Sequence, residues 1–475
     1  MAISTLTRRT LLGSAGATAI AGTIPLRAEE LSVPAGRPNI LFIMADDMGW
    51  ADLSCFGSRH INTPELDLLA AQGVKLTDAY ANSPVCSCTR LALATGRYNT
   101  YFRTGRVEPF SAGEWGETAI PEGYDTYMKL LQQAGYRTSL VGKWHLGPTE
   151  KGSPLNFGFD EFFGFLGGGL DYFTHEYLGE PALMEGRDPI EREGYMTTLL
   201  ADEAIRRIEA AVADGRPFAM NLHFNAPHWP WEGPEDFALG TQGNHNDGGS
   251  LEVYAAMTES MDRNIGRVLR AIDNLGLTRD TLVIFTSDNG GERYSEVWPF
   301  RGTKGYLLEG GIRVPAIIRY PRALRGGLVS DQMVATMDYF PTMLQAAGVS
   351  YDPSAVDGVP LLDLLASGRR QDRALFFNFQ GHDQRAVRRG NWKWYSIEGN
   401  EFLYDLSADS HERANRKDAE ADLHAELKAA WEAWDATQSP RDGMPGYCGT
   451  PAGQALELPQ LDTSNCKVYS GRGGG

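Results

Sequence analysis

Apolar runs and polar stops alternate along most of the chain. The segment Asn39-Ile40-Leu41-Phe42-Ile43-Met44 is a continuous apolar run that ends abruptly in Asp46-Asp47. A run without alternation predicts a strand buried on both faces. Helical spacing follows over 122–134, closed by Gly135, and a strand over 136–141 then delivers Gly142-Lys143-Trp144-His145. A helix at about 196–213 carries Ala201, Ile205, Ile208 and Val212 on one face and stops at Gly215. The strand Phe218 to Phe224 ends in Asn225-Ala226-Pro227-His228. A further helix sets Met257, Met261, Ile265, Val268 and Ile272 on one stripe. It leads to the strand Thr281 to Thr286, which ends in Ser287-Asp288-Asn289-Gly290.

Strands alternating with helices predict an α/β fold, a large mostly parallel sheet covered by helices on both faces. Ligands in such sheets bind beyond the carboxyl ends of the strands. Four separate strands here deliver carboxylates, Lys or His at that end. One such ending is a solvated loop; four together point to a site. From about 376 the pattern changes to short strands at Ala374–Phe379, Gln384–Arg388, Trp392–Ser396 and Phe402–Asp405. A helix over 420–436 follows, with Leu423, Leu427, Trp431 and Trp434 on one stripe that reads as core packing.

Composition narrows the function classes. The 475 residues carry 44 Lys+Arg against 61 Asp+Glu, a net charge of −17. That balance argues against a nucleic-acid partner, which needs a basic face. Beyond the N-terminus no stretch approaches the ~20 apolar residues of a membrane span, so no membrane anchor is expected. The N-terminus itself, with Arg8-Arg9 before a mildly apolar Leu11–Ile24 and a small residue at Ala28, resembles a twin-arginine export signal. A periplasmic or secreted location follows, where disulfides are allowed. Five cysteines are too few for a disulfide framework, although Cys448 and Cys466 are close enough in sequence to pair or to remain two thiols. The organisation expected is a leader at 1–28, a catalytic unit at 29–375, a C-terminal α+β unit at 376–438 and a tail at 439–475.

The chemistry concentrates around Cys86-Ser87-Cys88-Thr89-Arg90, followed by Leu91 to Thr95-Gly96-Arg97. This segment resembles the modification motif of the type I sulfatases of the alkaline-phosphatase superfamily, Cys-x-Pro/Ala-x-Arg with Ser normally in fourth place. Cys86, Arg90, Thr95, Gly96 and Arg97 match; Cys88 and Thr89 depart from it. Registering the motif on Cys88 fails, because no Arg lies four residues on. The resemblance extends through Asp46-Asp47-Met48-Gly49, Gly142-Lys143-Trp144-His145, Pro227-His228-Trp229-Pro230, Ser287-Asp288-Asn289-Gly290, Lys304 and Glu309-Gly310-Gly311-Ile312-Arg313-Val314-Pro315.

The resemblance implies a sulfatase-like sheet with a small C-terminal antiparallel sheet and one packed helix. It also implies a sulfuric ester hydrolase whose Cys86 is oxidised to Cα-formylglycine by a formylglycine-generating enzyme. The hydrated aldehyde carries two hydroxyls on one carbon. One attacks sulfur; loss of the other's proton then breaks the C–O bond, expels sulfate and restores the aldehyde. By the same resemblance Asp46, Asp47, Asp288 and Asn289, with modified Cys86, hold Ca²⁺, or Mg²⁺, both hard cations suited to oxygen ligands. Arg90, Lys143 and Lys304 would neutralise the sulfate group. His145 would act as base on the second hydroxyl, and His228 with Lys304 would contact sulfate and protonate the leaving oxygen. The run after Thr89 reads as a helix start whose positive end would face the anion.

Each feature alone has a plainer reading: a turn at Asp46-Asp47, a hairpin turn at Asp288-Asn289-Gly290, a structural thiol or a Cys-x-Cys redox or metal pair at Cys86. The substrate expected is a sulfated small molecule or glycan. A phosphomonoester, phosphodiester or phosphonate hydrolase on the same scaffold is the alternative, and a non-catalytic binding protein with unconverted Cys86 a third.

Overall fold

The apolar run at the start of the chain becomes a strand with all seven residues buried, and its two faces explain the lack of alternation. Ile40, Phe42 and Met44 enter one hydrophobic core, Leu41, Ile43 and Ala45 another. This computed structural model describes residues 36–106, 116–236 and 248–441, with the short strands Gly446–Tyr447 and Cys466–Lys467. The leader expected at 1–28, and Cys448 of the expected Cys448–Cys466 pair, lie outside those residues.

One ten-stranded sheet organises the larger part. Its strands are β1 (Asn39–Ala45), β2 (Val74–Leu76), β3 (Arg137–Lys143), β4 (Glu161–Phe165), β5 (Met184–Glu185), β6 (Asp188–Pro189), β7 (Phe218–His223), β8 (Thr281–Ser287), β9 (Ala316–Arg319) and β10 (Leu328–Ser330). Their spatial order is β10-β2-β9-β8-β1-β7-β3-β4-β5-β6. The central five, β8-β1-β7-β3-β4, are all parallel, while antiparallel pairs occur towards both edges. Register aligns the central carboxyl ends: Ala45 pairs with Ser287, Met44 with His223, and His223 with Gly142. Asp46, Asp288 and Lys143 therefore emerge together from one edge.

The helices are α1 (Pro64–Gln72), α2 (Cys86–Thr95), α3 (Tyr127–Gln133), α4 (Met196–Ala213), α5 (Leu251–Asn274), the short α6 (Glu309–Ile312), α7 (Tyr339–Ala347), α8 (Leu362–Ser367) and α9 (Ala421–Asp435). Residues of α2, α3, α7 and α8 pack one sheet face, those of α1, α4 and α5 the other. Burying apolar stripes on both sides of the parallel strands is the main favourable term in assembling the layers.

Two expectations change at helix starts. The helix expected over 122–134 begins only at Tyr127, because the Thr126 hydroxyl caps it by accepting from the Lys129 N–H. The helix expected after Thr89 begins at Cys86 itself, with Val85 in extended conformation before it. Every residue of α2 is buried, so tertiary packing rather than the weak helix preference of Cys-Ser-Cys-Thr sustains its first turn.

A four-stranded antiparallel sheet follows: β11 (Ala374–Phe379), β12 (Gln384–Arg389), β13 (Trp392–Ile397) and β14 (Asn400–Asp405). One face, through Leu375, Phe377, Ala386 and Tyr395, packs on Tyr80, Val85, Ala92 and the Tyr306–Leu308 segment. The other, through Val387, Trp394 and Leu403, receives Leu427 and Trp431 of α9. A fully buried charge cluster ties the two sheets together. Lys393 of β13 contacts Glu309 of α6 at 3.0 Å and Glu412 at 2.8 Å. Glu309 also accepts from the Tyr80 hydroxyl and the Arg313 guanidinium, and the Glu412 carboxylate accepts the Glu309 backbone N–H.

Candidate active site

Three strand ends and one helix start converge. Asp46 and Asp47 follow β1, Asp288 and Asn289 follow β8, Lys143 closes β3, and Cys86 opens α2. All six are buried. The Asp47 N–H donates to Asp288 Oδ1 at 3.2 Å, and Asn289 Nδ2 donates to Asp47 Oδ1 at 2.8 Å. The Cys86 thiol lies 4.0 Å from Asp47 Oδ1. Oxygen, sulfur and nitrogen donors of Asp46, Asp47, Cys86 and His228 all lie within 4.8 Å of one another. Asp47 takes a left-handed φ of 64°, and His145 one of 59°.

The carboxylates are met by three cations. Arg90 donates through Nε at 3.0 Å and Nη2 at 2.8 Å to Asp288 Oδ2. Lys143 Nζ lies 2.6 Å from Asp46 Oδ2, and Lys304 Nζ 2.7 Å from Asp47 Oδ2. Arg90 also donates to the Lys143 carbonyl at 3.1 Å, so its donors serve the frame of the site. His228 Nδ1 donates to the Trp229 carbonyl, leaving Nε2 3.6 Å from Asp47 Oδ2. His145 leads away from β3, and the glycine run Gly167–Gly169 passes against it: a Cβ on Gly168 would lie 2.9 Å from His145 Cε1.

Burial and the neighbouring Asp288 push the Asp46 carboxyl well above the usual range. Asp47 is held well below it despite burial, chiefly by Lys304 and His228. Burial, with Lys143 and Arg90 adding to it, holds His145 neutral; burial does the same for His228. Burial pushes the Cys86 thiol up, so the unmodified side chain is a poor nucleophile.

These residues fit a hard divalent cation. Asp46 Oδ1 and Asn289 Oδ1 are buried oxygens with no hydrogen-bond partner among the described residues. The donor set is rich in carboxylate oxygens, the chemistry Ca²⁺ or Mg²⁺ prefers. A cation would relieve the repulsion between Asp46 and Asp288.

The departures from the expected motif are accommodated locally. The Cys88 thiol donates to the Gly105 carbonyl, and the Thr89 hydroxyl both donates to the Ser83 carbonyl and accepts its N–H. Gly96 ends α2 in the left-handed conformation with φ 69°. The Asp288-Asn289-Gly290 segment is a strand exit rather than a hairpin turn. A Cβ on Gly290 would lie 1.9 Å from the Gly310 carbonyl oxygen, so only glycine admits this approach.

Two site neighbours escaped the sequence reading. His223, the last residue of β7, shares the Lys143 carbonyl with Arg90. Its signal was a lone histidine inside an apolar run. Glu292 lies 3.8 Å from Lys304 Nζ. Burial and Asp47 push its carboxyl up to about 7 against Lys304. Its signal was a carboxylate three residues after Asn289.

A large parallel-centred sheet with its polar cluster at the strand ends, and a small antiparallel sheet beside it, define a hydrolase of the alkaline-phosphatase superfamily. Residues 38–349 match the sulfatase family model, and residues 302–436 match the model for the N-sulphoglucosamine sulphohydrolase C-terminal region. The chain belongs to the sulfatase family and is a sulfuric ester hydrolase. It is 31% identical to an uncharacterised sulfatase of Schizosaccharomyces pombe, over 84% of this chain and 94% of that protein. It is 34% identical to the N-acetylgalactosamine-6-sulfatase of Mus musculus, over 75% of this chain and 71% of that protein. Among solved structures, Ps i-CgsB in complex with k-i-k-neocarrahexaose superposes with a TM-score of 0.78 at 27% identity, covering 91% of this chain and 100% of that one.

Proposed function

We propose that this sulfatase cleaves sulfate monoesters with Cys86 converted to Cα-formylglycine and a divalent cation, Ca²⁺ or Mg²⁺, held by Asp46, Asp47, Asp288 and Asn289. The observation that carries this reading is the position of Cys86 on the first turn of a buried helix, its sulfur 4.0 Å from Asp47 Oδ1. The converted residue and the cation together supply a hydroxyl nucleophile of lowered pKa and a Lewis acid for a sulfate oxygen.

The chain's own groups do the rest. Lys143 and Lys304 place positive charge where the anion enters, and Arg90 is a positioning residue that locks Asp288 in place. Lys304 is the group with a proton to give the leaving oxygen; His228, whose Nδ1–H is held by the Trp229 carbonyl, contacts the sulfate group beside it and can donate from Nε2 only when the ring carries a second proton. His145, kept neutral and with its buried Nδ1 lacking a hydrogen-bond partner among the described residues, is available as the base on the second hydroxyl. A formylglycine-generating enzyme acts during maturation. Residues 1–28 direct export by the twin-arginine route to the periplasm or beyond. Among the described residues no helix is long and apolar enough to cross a membrane. The catalytic unit spans 29–375 and the C-terminal unit 376–438.

The direct test is the mass of a peptide spanning residues 81–97. Conversion of thiol to aldehyde lowers it by ~18 Da, and active enzyme bearing an unmodified thiol there would refute the mechanism. Turnover of 4-nitrophenyl sulfate should exceed that of 4-nitrophenyl phosphate; the reverse order would favour the phosphoester reading.

The cation reading makes its own prediction. Chelator should abolish activity, and Ca²⁺ or Mg²⁺ should restore it and raise Tm, since a ligand of the native state stabilises it by mass action. Asp288→Asn should lower kcat about 100-fold or more and raise the cation concentration needed for half-maximal activity. Full activity after chelation would remove the cation from the scheme. Gly168→Ala tests His145. The added methyl presses on the ring, and a displacement under 1 Å should lower kcat by roughly tenfold to 100-fold while Tm stays close to wild type. An unchanged kcat would take His145 out of the reaction.

A further inference from the structure

The segment between Asn289 and Lys304 leaves the cation-binding strand end and returns to the anion-binding lysine, yet most of its side chains have no part in the scheme above. Its foot is pinned. The Glu296 N–H and the Ser295 hydroxyl donate to Asp52, which also accepts from Tyr254, while the Glu296 carbonyl accepts the Ala51 N–H. The Phe300 ring packs edge-on against Trp50 at 5.1 Å between centroids. The loop is therefore built in advance, without an ordering cost on binding.

Two of its side chains are unexplained by packing. Glu292 is 9% exposed, yet its Oε1 is a buried oxygen without a hydrogen-bond partner among the described residues. Its other oxygen is 3.8 Å from Lys304 Nζ. A buried acceptor left open beside the lysine demands a donor, and leaving one unmet costs free energy. Trp298 is 54% exposed, and among the described residues its one ring contact is edge-on with His411, a residue of the C-terminal unit, at 4.6 Å. Trp298 is six positions from Glu292 and six from Lys304, so its Cα lies within about 20 Å of each of theirs. An apolar ring face outside, an open carboxylate inside and a rigid backbone between them suit a ligand with C–H faces and hydroxyl donors. That is a saccharide; a flat aryl or steroid alcohol offers no hydroxyl beside its ester.

We propose that the 291–303 loop forms the leaving-group subsite, in which Glu292 accepts a hydrogen bond from a sugar hydroxyl neighbouring the sulfate ester and Trp298 stacks on the next sugar ring. The natural substrate is then a sulfated oligo- or polysaccharide with a free hydroxyl next to the ester. This rests on the ester-hydrolase reading above and adds its substrate class.

The test uses converted, cation-loaded full-length enzyme, a panel of sulfated galactose and glucosamine mono- and hexasaccharides, and 4-nitrophenyl sulfate. At least one saccharide should be cleaved with kcat/KM about tenfold or more above the aryl ester. Glu292→Gln and Trp298→Ala should each lower kcat/KM on that saccharide about tenfold relative to kcat/KM on the aryl ester. Trp298→Ala should act through KM and on the hexasaccharide more than on the monosaccharide. Trp298 is solvent-facing, so that variant folds whatever its effect on binding. Equal losses on saccharide and aryl ester in both variants would overturn the proposal, as would an aryl ester preferred over every saccharide. Wild type inert on all sulfate esters would defeat the hydrolase mechanism, and this subsite with it.

Discussion

Replacing Cys86 by alanine is expected to lower kcat on 4-nitrophenyl sulfate by about 10⁴-fold or more, because covalent turnover loses its nucleophile. The fold should survive. Cys86 is a small side chain whose sulfur makes one long hydrogen bond among the described residues, to Asp47, and alanine favours the helix that begins there. A Tm within a few degrees of wild type, with cation binding retained, would separate loss of chemistry from loss of structure. Cys86→Ser refines the result. Its single hydroxyl can attack sulfur but has no second hydroxyl to expel sulfate, so at most one turnover per site is expected. Steady turnover in either variant would show that residue 86 is not the nucleophile.

The second large effect concerns stability. Lys393→Met should destabilise the protein by about 3–5 kcal/mol, since it leaves Glu309 and Glu412 as buried charges without their shared cation. The effect should depend on pH. Burial pushes Glu412 up to about 7 even with Lys393 present, from an ordinary 4.5. The folded chain then holds a proton that the unfolded chain releases, so this group's contribution to stability falls as pH rises from 4.5 to about 7. Without Lys393, which opposes the effect of burial, the fall should extend to higher pH. Urea unfolding at about pH 5 and about pH 8 should show the larger loss at the higher pH. Equal losses at both would mean that Glu412 does not titrate there. Because Glu309 sits in α6, whose Gly310 and Gly311 pack on Gly290 at the strand exit, the variant should also lose activity before it unfolds.

How far the sequence alone carries can be read residue by residue. Asn39–Ala45, Phe218–His223 and Thr281–Ser287 were legible as strands because burial on both faces forces an unbroken apolar run. The polar residues at their ends were legible as a site because parallel strands point the same way. The four strands of the C-terminal sheet lay within two residues of their expected bounds, turn residues marking each reversal.

The start of α2 was not legible. Cys-Ser-Cys-Thr carries little helix preference and Val85 provides no side-chain cap, so only packing against the sheet places Cys86 on the helix. Nor did the sequence show where the cations go. Arg90 was expected to face the anion, yet its donors close on Asp288 and the Lys143 carbonyl, because a carboxylate buried that deeply requires a paired donor.

What the linear order of residues determined by itself is therefore the kind of layers and the chemical identity of the groups at the strand ends, since periodicity and side-chain chemistry are local properties. Which carboxylate meets which cation, which oxygen is left open for a ligand, and that Glu292 belongs beside Lys304, were decided only by the tertiary structure. These pairings join residues up to 257 positions apart, and their energies depend on distance and burial, which no local pattern encodes.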